Sequence, residues 1–382
     1  KIWSLKYIEV SAPFVQKEHD MGEQRPLTDR IMQMRELIRD RVIAVDAERG
    51  VNITESYKRN LLVPPDIKRA QATYDVCSQM ACRVEDFELI VGNLGTSFLG
   101  SGVWPEDGSD WICEEFDAGG LWTLQDDGVY HREDMGTKLT IAQEEIDKLY
   151  SIRDFWKGRT VSDYMDSWYP DGFEEWAAIG ASSYFPGVPI GNLASGHLIA
   201  GYPKIINSGY AAIRKQAQDW IDAHQGDLMG GDVEKYLFFK SAVLACDAGT
   251  VMIKRYAQAC YDKVAAGGGA GGGAAAGGMD PARAAELTRM GDSLMWIAEN
   301  PARTFWEAVQ AAVMYQLLLY MDCRYPALAF GRFDQYTWPF LKADLEAGRL
   351  TMDEAHEIVD AFLLKSNCFY RAAPPFLNEI VG

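Results

Sequence analysis

The sequence predicts a helix-rich α/β protein. Apolar residues recur at helical spacing through most of the chain, and alternating stretches are few and short. The composition is that of an ordinary globular protein, 48% hydrophobic and 24% charged over 382 residues, which excludes a disordered or fibrous chain for most of its length. Length alone allows one large domain or two to three ordinary ones. Helical patterning continues on both sides of the one low-complexity run, so residues 1–382 read as part of a single domain.

Thr28-Asp29 opens a segment over 28–44 that places Ile31, Met34, Leu37, Ile38 and Val42 on one face, a capped amphipathic helix. A second helix is expected over 65–82, with Pro65 in its first turn. Residues 87–92 read as a short strand ending in glycine. The stretch 92–134, rich in Gly, Asp and Trp, reads as loops and short strands. Helices follow over 142–156 and 163–168. Residues 182–201 are dense in Gly, Pro, Ser and aromatics without a usable period, and long structureless loops inside domains are often functional.

Helices are then expected over 210–224 and 233–266, the second with a wide apolar stripe. Residues 265–278 read AAGGGAGGGAAAGG, a mobile connector by composition. They lack the preceding strand and the following Lys-Ser/Thr of a phosphate cradle. Further helices are expected over 281–299, 301–321 and 334–345, with a short non-helical connection before Phe333. Thr351 and Glu354 have capping-box spacing and open a helix to Lys365. Residues 374–382 read as the start of a strand whose edge needs a partner, which suggests a sequence cut within a domain.

The charge balance, 37 basic against 55 acidic residues for a net −18, argues against nucleic acid as a partner. Seven cysteines contain no C-x-x-C pair, so free thiols in a reducing cytoplasm are expected. No leader is visible. The most apolar stretch, 304–321, carries Glu307, Gln310 and Gln316 and reads as a buried helix, so no membrane role is expected.

None of the five histidines forms H-E-x-x-H or H-x-H, and no metal site is expected. Asp107-Gly-Ser-Asp110 lacks the glycine position and terminal Glu of a calcium loop, and there is no G-x-S-x-G elbow. His224 and His356 sit beside acids on expected helices. His197 differs. It ends Asn192-Leu-Ala-Ser-Gly-His197 in the aromatic loop, flanked by Tyr184, Phe185 and Tyr202. There it either meets a polar substrate or pins the loop through backbone bonds, and the residues leave both open. Eleven tryptophans in an acidic chain also fit carbohydrate handling by paired carboxylates.

Four segments, in order, resemble the glycyl radical enzyme family, the pyruvate formate-lyase-like group. They are Glu88-Leu-Ile-Val-Gly92-Asn93; Gly196-His197 with Tyr202 and Gly209; Pro301-Ala-Arg-Thr-Phe-Trp-Glu-Ala-Val-Gln310; and Phe330-Gly-Arg-Phe-Asp-Gln-Tyr336 with Pro339. The resemblance runs from about residue 28 onward. It implies the first half of a ten-stranded barrel, built from two antiparallel five-stranded halves and wrapped by helices. The activity implied is that of an anaerobic lyase or a formate C-acetyltransferase-like enzyme. A thiyl radical abstracts hydrogen from a small organic substrate, and a C–C, C–S or C–O bond is cleaved.

The family's Gly-Cys-x-Glu loop and radical-glycine stretch do not occur in these residues. No catalytic residue is therefore assigned, and this portion is expected to be inactive alone. No bound cofactor is implied. The glycyl radical would be installed by a radical S-adenosylmethionine activating enzyme, a partner alongside the small-molecule substrate and a second copy in a homodimer.

The substrate-binding residues implied are Tyr184, Phe185, Asn192, Ser195, His197, Phe369 and Tyr370. His197 would supply a polar contact, and Phe369 or Tyr370 would pack over the substrate. Arg332 and Asp334 are expected to brace the scaffold as a buried ion pair. The aromatic loop leans toward an arylacetate decarboxylase, with a sulfonate lyase, a dehydratase or a formate acetyltransferase also open. The rival readings are a glycoside hydrolase and a non-catalytic helical binding or scaffold protein.

Overall fold

Two large apolar cores and a small cluster of Ala217, Ile221 and Val243 organise the chain in the computed structural model, which describes residues 25–40, 42–108, 110–134, 137–168, 170, 172, 198–226, 228–267, 279–323 and 328–372. In order, the first elements are α1 (Asp29–Arg39), β1 (Val42–Val45), α2 (Glu48–Arg59), α3 (Pro65–Gln79) and β2 (Gly100–Ser101). After a 3-10 turn at Pro105–Asp107 come α4 (Trp111–Ala118), β3 (Thr123–Leu124), β4 (Val129–Asp134), β5 (Thr137–Ala142), α5 (Gln143–Trp156) and α6 (Val161–Asp166). The remainder comprises β6 (Leu198–Ile199), α7 (Tyr202–His224), α8 (Asp232–Ala266), α9 (Pro281–Ile297), α10 (Phe305–Asp322), β7 (Leu328–Ala329), α11 (Phe333–Glu346) and α12 (Met352–Ser366).

The larger core is built on α10. Its Phe305, Ala308, Val309, Ala312, Val313, Met314 and Leu317 are all essentially inaccessible. A helix apolar all round needs neighbours on every side, and α3, α7, α8, α9, α11 and α12 supply them. The expected buried helix over 301–321 is thus present, starting four residues later because Thr304 caps it through Glu307 N–H. By length and composition α8 could cross a membrane, but α3, α7 and α9 pack along it.

The smaller core lies under a mixed sheet of order β2-β1-β5-β4-β3. β1 runs parallel to β2 and β5, while β5, β4 and β3 form an antiparallel meander. Ile43, Val45, Leu139 and Ile141 of the sheet pack with Ile112, Ile146, Leu149 and Ile152 of α4 and α5. A separate parallel pair, β6 with β7, matches Leu198 to Leu328 and Ile199 to Ala329.

Several sequence expectations are corrected. Helix α1 stops at Arg39, and Val42 enters β1. Thr28 makes no capping bond with its side chain; its hydroxyl donates instead to Glu357 at 2.6 Å. Helix α2 was not expected, because its buried face is Arg49, Gly50, Ile53, Thr54 and Ser56, mostly polar or small. Helix α7 begins eight residues early, at Tyr202, and kinks at Gly209 (φ 71°, ψ 165°). Residues 87–92 form no strand. The capping box at Thr351 is present with both reciprocal bonds.

Candidate functional site

Residues 87–93 are buried and pair with no strand among the described residues, so their backbone polar groups need side chains. Gln310 of α10 supplies a strand-like pair, accepting from Val91 N–H and donating to Val91 C=O, both at 2.9 Å. Trp306 Nε1 donates to Leu89 C=O at 3.0 Å. Arg283 of α9 donates to the carbonyls of Glu85 and Glu88. Tyr256 of α8 accepts from Asn93 N–H at 3.1 Å and donates to Asn93 Oδ1 at 2.9 Å. Three helices therefore fix this segment, and Glu88 projects from it into the interior.

Glu88 meets Lys365, in the last turn of α12, at 2.5 Å, with both side chains almost fully buried. Removing one partner of such a pair costs roughly 3–5 kcal/mol. The pair anchors the end of α12, where the chain becomes extended. Phe369 then enters the larger core beside Tyr320, with ring centroids 5.8 Å apart. Tyr370 turns to the smaller core, Arg371 lies over the Tyr320 ring at 4.9 Å, and Ala372 N–H donates to Ser101 Oγ at 2.8 Å. Alternation of side chains lets these residues join the two cores.

Tyr320 continues into a buried polar array. Gln316 donates to Tyr320 Oη at 3.2 Å and to Leu328 C=O at 3.1 Å, and Tyr202 donates to Gln316 Oε1. Leu328 pairs with Leu198, the residue after His197. The end of the aromatic loop is thus tied to Phe369 through β7, Gln316 and Tyr320. Burial raises the Tyr202 phenol well above its usual range. It also raises Tyr320, with Arg371 and Gln316 opposing. Burial lowers Arg371, opposed chiefly by Tyr320. At neutral pH both phenols therefore stay protonated, Tyr202 donating to Gln316 and Tyr320 accepting from it, so the array can orient a polar group but is not itself a general base.

Of the seven residues inferred to bind substrate, Phe369 and Tyr370 occupy this junction. Tyr184, Phe185, Asn192, Ser195 and His197 lie outside the described residues. Arg332 and Asp334 form an ion pair at 2.9 Å, but about two thirds of each side chain is exposed. The expected buried brace is corrected to a surface pair, and such pairs contribute little. The sequence reading missed the Glu88–Lys365 pair, 277 residues apart, and the bonds of Gln316 to Tyr202 and Leu328, 114 and 12 residues away, because such separations leave no local signal. Among the described residues no three His, Cys, Asp or Glu side chains gather as a metal site.

A family sequence model described as "Pyruvate formate lyase-like" matches residues 23–382. The isethionate sulfite-lyase of Oleidesulfovibrio alaskensis is 27% identical over 328 residues, covering 83% of this chain and 36% of that protein. The (2S)-3-sulfopropanediol dehydratase of Klebsiella oxytoca is 24% identical over 339 residues, covering 88% and 38%. The fold is similar to that of the glycerol-bound B12-independent glycerol dehydratase from Clostridium butyricum, with a TM-score of 0.79 at 23% identity, over 92% of this chain and 41% of that one. The chain spans well under half the length of each of these relatives.

Proposed function

Because the chain belongs to the pyruvate formate lyase-like family, we propose that it forms the N-terminal portion of an anaerobic glycyl radical lyase or dehydratase. In this reading it supplies the first part of a barrel and the substrate-side wall. A radical S-adenosylmethionine enzyme installs the radical, and the working form is a cytoplasmic homodimer. Once installed, the radical chemistry is removal of a substrate hydrogen atom by a cysteine thiyl, then cleavage of a neighbouring bond. Neither residue of that chemistry is assigned among residues 1–382.

This portion's work is positioning. The loop over 184–197 and the Phe369-Tyr370 pair hold a small substrate. The Tyr202–Gln316–Tyr320 array keeps the wall dry and fixed, as radical intermediates require. The observation that carries the reading is the tie from Leu198 through Leu328 and Gln316 to Tyr320 and Phe369. It ties Leu198, the residue that follows the inferred loop, to the surroundings of Phe369, which supports a shared pocket. The names of the relatives favour C–S or C–O cleavage over the arylacetate decarboxylation that the aromatic loop suggests.

The test begins with the gene beyond codon 382. The extended protein, incubated without oxygen with an activating enzyme and S-adenosylmethionine, should show a glycyl radical by electron paramagnetic resonance. It should then release sulfite or an aldehyde from a panel of hydroxysulfonates and diols. Carbon dioxide from an arylacetate would restore the decarboxylase reading. An extended chain with no Gly-Cys-x-Glu loop and no radical would leave the scaffold reading in its place.

A further inference from the structure

One cavity lies away from the inferred substrate wall, where the larger and smaller cores meet. Its volume is about 260 Å³, just under the roughly 300–1,000 Å³ of pockets for drug-sized ligands. Trp156 of the larger core and Val103, Leu149 and Ile152 of the smaller one form an apolar floor, and all four are buried. The 3-10 turn, α4, α5 and α6 supply the walls. Neither Phe369, Tyr370 nor any member of the Tyr202–Gln316–Tyr320 array lines it.

Charge decides what a cavity of this size and floor holds. Asp110, Glu114 and Asp163 line it together with Arg153 and Lys157. Both cations are already matched. Arg153 pairs with Asp117 at 2.6 Å and with Asp110 at 3.6 Å, and Lys157 pairs with Asp154 at 2.5 Å. Asp163 accepts from the Thr160 N–H at 3.0 Å and from its hydroxyl at 2.6 Å. Glu114 is exposed and, among the described residues, makes no hydrogen bond or ion pair. The start of α4 and the end of α5 both meet the cavity, so their dipoles oppose one another. The side chains set the sign, and carboxylates outnumber cations.

We infer that this cavity binds a small primary ammonium ion with an apolar body. Its charge sits at Glu114, with Asp110 four residues before it at the start of α4, and its hydrocarbon lies on the Trp156–Ile152 floor. A carboxylate of the same shape meets an excess of like charge, and an alcohol forgoes the ion pair. A bound ligand also braces the junction of the cores. The Val103 carbonyl accepts from Arg49 at 3.1 Å, and Ser101, two residues earlier, holds the Ala372 N–H.

The test titrates the full chain with benzylammonium, benzyl alcohol and benzoate, following labelled methyl groups by NMR. Benzylammonium should saturate one site in the millimolar range or below. It should move the methyl signals of Val103, Leu149 and Ile152 and leave that of Ile206, elsewhere in the larger core, unmoved. Benzyl alcohol should bind about two- to fivefold more weakly, the worth of one exposed ion pair, and benzoate more weakly than the alcohol. Glu114→Gln changes an exposed side chain and should keep the Tm. It should lower the affinity for benzylammonium to that for the alcohol and leave the alcohol's own affinity unchanged. The absence of saturable binding would overturn the assignment, as would shifts centred outside the cavity. So would benzoate binding as tightly as benzylammonium, or an affinity for benzylammonium unchanged in Glu114→Gln.

Discussion

Gln310 shows how much of this molecule is decided by single buried polar side chains. Its amide takes both the N–H and the C=O of Val91, doing for one residue what a neighbouring strand does for many. Gln310→Leu would leave two buried backbone groups unpaired, each costing roughly 1–3 kcal/mol. We expect a loss of about 2–4 kcal/mol by urea unfolding; a change under about 1 kcal/mol would mean that water replaces the amide. Asp46 gives a second residue-scale prediction. Burial pushes its carboxyl up to about 7, with N–H bonds from Thr96 and Glu48 opposing and the charges of Glu48 and Glu145 adding. The folded chain therefore keeps a proton that the unfolded chain loses near 3.8. The stability tied to that proton is complete below the lower value and fades as pH rises through the upper one. The stability advantage of wild type over Asp46→Asn should shrink between pH 5 and pH 8, and a constant difference would refute the shift. The sequence displayed both residues but not their burial. For the same reason Arg332 and Asp334 read as a brace when they lie on the surface.

Elements with apolar stripes were legible, and those with polar inward faces were not. Helices α8, α9, α10 and α12 repeat apolar residues at helical spacing and lie where that spacing places them. Helix α2 hides Arg49, which donates to Glu106 and to the carbonyls of Val103 and Met321, so its inward face is not marked by a stripe of large apolar residues. Residues 87–92 read as a strand because they are apolar and end in glycine. Their bonding partners are instead side chains of α8, α9 and α10. At Gly209 the left-handed backbone turns α7 so that Ala211 N–H reaches Glu299 C=O at 3.0 Å. A Cβ there would stand 2.3 Å from that carbonyl. Gly209→Ala combines backbone strain with overpacking and should destabilise by roughly 2–4 kcal/mol. Thr351→Ala, which removes only a cap, should cost about 1 kcal/mol. If the two variants melted alike, the kink would be carrying no close packing.

At the scale of the whole molecule, two cores meet along the extended residues after α12, with Phe369 in one and Tyr370 against the other. Composition and periodicity announced the helical body. Only the resemblance of four ordered segments pointed to the family, and the site's polar array appeared only when residues 202, 316, 320 and 328 came together in space. The glycine-alanine run tests how independent the body is of its connectors. Gly267 ends α8, and its carbonyl accepts from Met279 N–H at 3.0 Å, so the chain leaves and re-enters at one point. The helices on either side are already joined below that point, where Tyr261 of α8 donates to Asp292 of α9 at 2.8 Å and packs on Gly291. Replacing residues 268–278 with three glycines therefore asks no helix to move. Each halving of a flexible loop changes its closure cost by only about 0.6 kcal/mol, so the shortened chain should match wild type within about 1 kcal/mol in urea unfolding. A loss of several kcal/mol would show instead that the run packs on the body and belongs to its core.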